Sequence, residues 1–285
     1  MSCIAYVTDS KMLELHRLNN HKTMNFWRLS NNMSFSDFSY GDLVFFLSKD
    51  KEHSNNKEKG IVGFGRLVSM NLCSVNKMWD KYKELNGYRT LEDFTAAIAK
   101  VSKDKKTPKK ISSFYLEGVT FFQPIYLSEC GMNISNNVES YIYLSDDVSD
   151  KLLSLAKDNR DLWSSFSDGN DTIEQEELLR SLFETHSKIK DVPYNLKQEK
   201  IISEKMKELC NGEYRCMNNS VNEVYYLKDK YLEIVFYHDK KTDNRLLIGQ
   251  SRMYLYYMSS YCNRELTLKF KTSDNDADLE YLLNN

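Results

Sequence analysis

The chain has 285 residues, 41% of them hydrophobic and 28% charged, with a net charge of -2 at pH 7. That length favours two domains with cores of their own, and the near-neutral balance excludes a uniformly basic nucleic-acid binder. Tyrosine and phenylalanine are abundant (19 and 14) while proline and glycine are scarce (3 and 10), so the composition points to half-buried sheets throughout.

The opening MSCIAYVTDS lacks the basic start and apolar run of a secretory leader. No stretch reaches the roughly 18 apolar residues of a membrane span. Six cysteines (Cys3, Cys73, Cys130, Cys210, Cys216, Cys262) are scattered without close pairing. Without an export signal this predicts reduced thiols in a cytoplasmic, soluble protein with no membrane partner.

In chain order, CIAYVTD and HKTMNFWRLS read as strands. GDLVFFLS and GIVGFGRLVSM follow as stronger ones, bracketing the polar loop KDKEHSNNKEK. NKMWDKYKELNGY and TLEDFTAAIAKV read as helices, the second capped by Thr90 with Leu91, Phe94, Ala97 and Ile98 on one side. SSFYLEGVTFFQPIYL and SYIYLS return to strand. From about residue 146 the pattern turns amphipathic and helical, through DVP and a third helix that stops at Asn211-Gly212. The segment from 222 to 258 then gives two strands, EVYYL and YLEIVFY, followed by a helix beginning near IGQSRMY. The layout predicted is α+β: a β-rich domain over 1–145, a helical connector over 146–192 and an α/β domain over 193–285.

In the first half, His16 and His21 have no Cys or carboxylate at zinc-like spacing. GFGRL lacks the third glycine and following helix of a phosphate loop, so its glycines serve strand packing. Residues 100–110 carry six lysines against one aspartate. They form either a solvated loop or a phosphate-contacting arm through Lys103, Lys105, Lys106, Lys109 and Lys110. Aromatic residues beside Asn and Ser in NFWRLSNNMSFSDFSYGD supply rings for stacking on a base and amides for its edge, although such rings also serve as plain core.

The order FWRLSNN, GDLVFFLSK, GIVGFGRL, WDKYKELNGY and GVTFFQPIYLSE resembles the EVE/PUA-like superfamily, compact β-barrels related to YTH domains. The resemblance covers about 1–145. It implies a reader of nucleic acid, often of a modified base, with Phe26, Trp27, Ser30, Asn31 and Phe46 lining the pocket.

In the second half, Glu223 opens one strand and Glu233 lies within the next, on the same face as Val235. Gln250 and Tyr254 are one helical turn apart, and Glu199 shares a helix face with Ile202. Converging carboxylates hold Mg²⁺, which polarises a phosphodiester and activates a water. The arrangement resembles the PD-(D/E)xK nuclease superfamily. It implies Glu199 as the helix carboxylate, Glu223 and Glu233 as metal-binding acids, and Gln250 and Tyr254 as the Gln-x-x-x-Tyr helix. This chain departs from the family at the lysine position, which holds Val235.

Two functions follow. One is recognition of modified double-stranded DNA coupled to Mg-dependent cleavage, as in modification-dependent restriction, for which a homodimer would supply two cutting sites. The other is a reader of DNA or RNA whose nuclease-like domain is inactive.

Overall fold

The computed structural model describes residues 3–29, 35–53, 56–135, 137–159, 169–189, 194–210, 212–217, 220–262 and 266–285. The chain divides into two compact units, 1–173 and 174–285.

The first unit is built from strands β1 (Cys3–Thr8), β2 (Thr23–Arg28), β3 (Leu43–Glu52), β4 (Lys59–Cys73), β5 (Ile111–Ile125) and β6 (Tyr141–Leu144). They form one sheet in the order β2-β5-β4-β3-β1-β6, antiparallel except where β1 runs parallel to β3. Four helices flank it: α1 (Ser10–Leu18), α2 (Val75–Tyr82), α3 (Leu91–Val101) and α4 (Asp146–Asp158). Of these, α1 was not foreseen; Asp9 starts it by accepting from the Lys11 amide. Thr90 caps α3 as expected, accepting from the Asp93 amide.

The sheet curls on itself. Four inter-strand steps separate β1 from β2, about 19 Å if the sheet were flat. Yet the rings of Tyr6 on β1 and Phe26 on β2 lie 5.0 Å apart. Closure of this kind is the barrel-like architecture expected of the N-terminal half.

Apolar residues cover both sides. Phe45, Leu47, Phe64 and Phe122 pack under Leu152, Leu153 and Ala156 of α4. Met24, Phe26, Phe46, Phe114 and Leu116 fill the other side with Met12 and Leu13 of α1. A third cluster seats α2 and α3 through Val75, Met78, Tyr82, Phe94 and Ile98. The glycines of GIVGFG permit close strand crossing, as expected: a Cβ on Gly63 would sit 2.5 Å from the Thr120 carbonyl.

The second unit holds α5 (Gly169–Lys188, beginning at the boundary), α6 (Leu196–Leu209), β7 (Arg215–Cys216), β8 (Glu223–Lys228), β9 (Tyr231–Phe236), α7 (Asn244–Tyr257), α8 (Ser259–Cys262), β10 (Thr267–Thr272) and α9 (Ala277–Asn284). The sheet order is β10-β9-β8-β7, a meander from β7 to β9 with β10 parallel to β9. Asn195 and Gln198 form the capping box of α6, and Asp243 caps α7.

The segment expected as a connector is not a body of its own. Its first helix, α4, belongs to the core of the first unit. Its second, α5, packs Phe183 on Tyr225 of the second.

Candidate functional site

Strand alternation decides which expected site residues meet. On β2, Met24 and Phe26 face the barrel interior, where Phe26 stacks with Phe46 at 6.4 Å and Phe114 at 6.1 Å. Phe26 and Phe46 are 2% and 0% exposed, so both are core and not pocket walls. Trp27, one residue on, points to the opposite face and packs on Tyr88 and Phe94 at 6.4 and 5.9 Å. The three rings expected to line one pocket are therefore divided between two faces. Ser30 and Asn31 lie outside the described residues.

The Trp27 face carries polar groups the sequence did not single out. Ser113 of β5 stands directly opposite Trp27, and Tyr115 opposite Asn25. Directly paired residues of an antiparallel ladder share a face. Tyr82 stacks on Tyr115 at 5.5 Å. The Asn25 amide nitrogen donates to Asn86 Oδ1 at 2.8 Å, and Asn86 is held by the Lys83 carbonyl at 2.8 Å. Gly87 follows with φ +85°, closing the turn that presents Asn86. Four polar atoms on this face are buried with no hydrogen-bond partner among the described residues: Trp27 Nε1, Asn25 Oδ1, Ser113 Oγ and Tyr82 OH. Buried polar groups are ordinarily satisfied, and leaving one unmade costs about 1–3 kcal/mol. Trp27 itself is half-buried.

Two cationic features complete the first unit. A cleft of about 670 Å³ opens between α1 and the ends of β3 and β5, floored by Leu13, Val62, Phe121 and Pro124. Lys11, Arg17, Lys51 and Arg89 line it against Glu14 and Asp50. Arg17 binds Glu14 at 2.6 Å, and that hydrogen bond outweighs burial to hold the Glu14 carboxyl below its ordinary value. The cleft is thus suited to an anionic group. Separately, Lys103, Lys105, Lys106, Lys109 and Lys110 all project into solvent between α3 and β5. The aspartate among them, Asp104, is engaged by Ser102 Oγ and the Lys106 amide.

In the second unit, the expected metal pair does not meet. Glu223 lies opposite Phe236 and Glu233 opposite Tyr226, an odd offset that sends the two carboxylates to opposite faces of the sheet. Glu223, 1% exposed, joins Tyr254 and His186. Tyr254 OH lies 2.6 Å from its Oε2 and 2.7 Å from His186 Nδ1, and His186 Nδ1 is 3.3 Å from the same carboxylate oxygen. Gln250, one turn before Tyr254, is buried as well.

Glu233 instead faces the side covered by α6, whose Ile202 and Met206 pack on Val224 and Val235. Glu199 sits on that helix, half-buried. Both Glu233 oxygens are taken: Oε1 accepts from Tyr214 OH at 2.5 Å and Lys271 Nζ at 3.1 Å, and Oε2 from Tyr231 OH at 2.5 Å. Burial works to raise the Glu233 carboxyl, but these hydrogen bonds and the lysine charge outweigh it and hold the group below its ordinary value. Burial first, and then the Glu233 carboxylate it donates to, push the Tyr231 hydroxyl up to about 12.

Lys271 was not foreseen. It stands on β10 in register with Val235, on the strand beside the position where the expected motif calls for lysine and this chain has valine. Its signal was the alternation Lys269-Phe270-Lys271, two lysines on one face of a strand.

No group of three or more His, Cys, Asp or Glu side chains placed to hold a metal ion occurs among the described residues. The donor set implied for Mg²⁺ does not fit here, because the sheet divides its two acids and Glu233 is saturated by protein donors, while Glu223 keeps one buried oxygen, Oε1, with no hydrogen-bond partner among the described residues. Nor is any helix among the described residues long and apolar enough to cross a membrane.

No family model and no curated protein matches the chain. Among solved structures, the ASCH protein of Zymomonas mobilis is similar to it, with 15% identity and a TM-score of 0.38 over 53% of this chain and 94% of that one. A single-residue variant of the same protein gives 15% identity and a TM-score of 0.38, over 53% and 96%. The likeness is to about half of the chain and says nothing of the site.

Proposed function

We propose that this protein reads nucleic acid, taking a base at the Trp27 face of its first unit and phosphates on lysines of the same unit. The observation that carries the reading is the set of unpartnered buried atoms beside a half-exposed indole: Trp27 Nε1 as donor, Asn25 Oδ1 as acceptor, Ser113 Oγ and Tyr82 OH as either. A base edge presents donors and acceptors of this kind, and its face stacks on aromatic rings. These atoms are buried, so a base reaches them by displacing the side chains that cover them. The exposed lysine segment 103–110 supplies the sequence-independent attraction that brings the polymer in. Recognition of a modified base is the finer form of the proposal, supported by the EVE/PUA-like sequence pattern around Trp27.

The second unit acts, in this reading, without cleaving. Glu223 is enclosed with Tyr254 and His186, and Glu233 is saturated by two tyrosines and a lysine. One observation favours the cleavage reading: Lys271 beside Glu233, the lysine and acid of such a site contributed by adjacent strands.

Fluorescence anisotropy with short DNA and RNA oligonucleotides, modified and unmodified, tests binding. Supercoiled plasmid with Mg²⁺ or Mn²⁺ tests cleavage. Binding weakened by Trp27→Phe, with intact plasmid, supports the reader. Absence of binding to every polymer overturns it. Metal-dependent nicking that is lost in Lys271→Met supports the nuclease.

A further inference from the structure

Cys210 closes α6 and Cys216 ends the two-residue strand β7, with their Sγ atoms 2.8 Å apart and both thiols free. Cys216 is exposed and Cys210 half-buried, so an oxidant in solution reaches the pair. By contrast, Cys3 and Cys130 are buried. We propose that Cys210 and Cys216 are a redox-modification site, forming a reversible disulfide by exchange with a small-molecule disulfide such as oxidised glutathione.

The chemistry has a direction. The Cys210 hydrogen bond, aided by Lys207 and Arg215 against the pull of burial, brings the Cys216 thiol down to about 7. The same hydrogen bond, with burial, pushes the Cys210 thiol up. Cys216 is therefore the thiolate that attacks, since the thiolate is the nucleophile. Its sulfur bonds to one sulfur of oxidised glutathione and expels the other as glutathione thiolate, leaving a mixed disulfide on Cys216. Cys210 then gives up its proton and attacks Cys216 Sγ, expelling the second glutathione. Two protein thiols are oxidised, and one glutathione disulfide is reduced to two thiols.

The segment between the cysteines carries Tyr214, whose hydroxyl donates to Glu233. Among the described residues, β7 pairs with β8 through Arg215 with Tyr225 and Cys216 with Val224, and the Met217 amide beside it donates to the Glu223 carbonyl. A disulfide fastens that short strand to the end of α6 and fixes Tyr214 over Glu233. Reduction leaves the strand to its hydrogen bonds with β8 alone.

The test uses the intact chain in glutathione buffers of graded oxidation, quenched with acid and mapped by mass spectrometry without reduction. The expected product is a Cys210–Cys216 cross-linked peptide lacking two hydrogen atoms, reversed by dithiothreitol. Oxidation should also raise amide-exchange protection over 212–217. Iodoacetamide should alkylate Cys216 about tenfold faster than Cys262 at pH 7, with a midpoint near 7 in its rate profile. Cys210→Ser should retain glutathione on Cys216 as a stable adduct. A wild-type protein that stops at the mixed disulfide, or a Cys216 no more reactive than Cys262, overturns the proposal.

Discussion

Ser113 and Trp27 face each other across β5 and β2, and the fold gains nothing from the hydroxyl of one or the indole N–H of the other. Residues retained at a cost to folding are where function is to be sought. Ser113→Ala should leave stability unchanged or raise it by up to about 1 kcal/mol, since an unsatisfied buried hydroxyl is removed. It should nevertheless weaken oligonucleotide binding roughly fivefold to tenfold. Thermal melting and anisotropy check the two halves of that expectation. The sequence made Trp27 visible through its aromatic and amide neighbours, but Ser113 lies 86 positions downstream and becomes its neighbour only through strand pairing. A second residue, Asp42, is 2% exposed, and burial outweighs hydrogen bonds from Ser39 to push its carboxyl up to about 6 from 3.8. The folded state thus holds this proton more tightly than the unfolded chain. Stability of the first unit should fall as pH rises from about 4 to about 6, by roughly 3 kcal/mol at most. Asp42→Asn should flatten that slope in denaturant titrations. An unchanged slope would remove Asp42 as its source.

At the scale of elements, the alternation of a β-strand decided what could be read in advance. Phe26 and Trp27 were expected in one pocket, as were Glu223 and Glu233. In each case sequence proximity was a poor guide, because neighbouring strand positions point apart and an odd offset across a ladder does the same. The Thr90 cap of α3 was legible because its signal is local. Lys271 was not, because only the parallel pairing of β10 with β9 brings it to Glu233. Glu233 organises the α6 side of its sheet through three donors, and Glu233→Ala strands two tyrosine hydroxyls. That change should cost about 2–3 kcal/mol in chemical denaturation. Lys271→Met should cost less, about 1 kcal/mol, because the lysine side chain is 42% exposed and its charge partly screened. Equal losses would mean that the lysine, and not the tyrosines, governs the cluster. The lowered Glu233 carboxyl also gives the second unit a pH dependence of opposite sign. Its contribution is complete above the ordinary carboxylate value and is lost as pH falls through the lower folded one.

For the molecule as a whole, composition and patterning gave a β-rich first part, a helical connector and an α/β last part, and the closed sheet of the first part came only from the family resemblance. They did not disclose the boundary: α4 and α5 look alike as amphipathic helices and differ only in which core accepts them. The net charge of -2 conceals a local concentration of cations over residues 103–110, and in the proposed reading that distribution, rather than the total, draws in the polyanion. Replacing Lys103, Lys105, Lys106, Lys109 and Lys110 together by Ala should lessen the salt dependence of binding by about one in log–log slope for each phosphate no longer neutralised, while leaving preference among bases intact. The decisive measurement is the oligonucleotide affinity of the wild type, Ser113→Ala and Trp27→Phe, taken beside their melting temperatures. Both variants should bind more weakly, while Ser113→Ala melts no lower than the wild type. Affinity unchanged in both variants would contradict base reading at the Trp27 face.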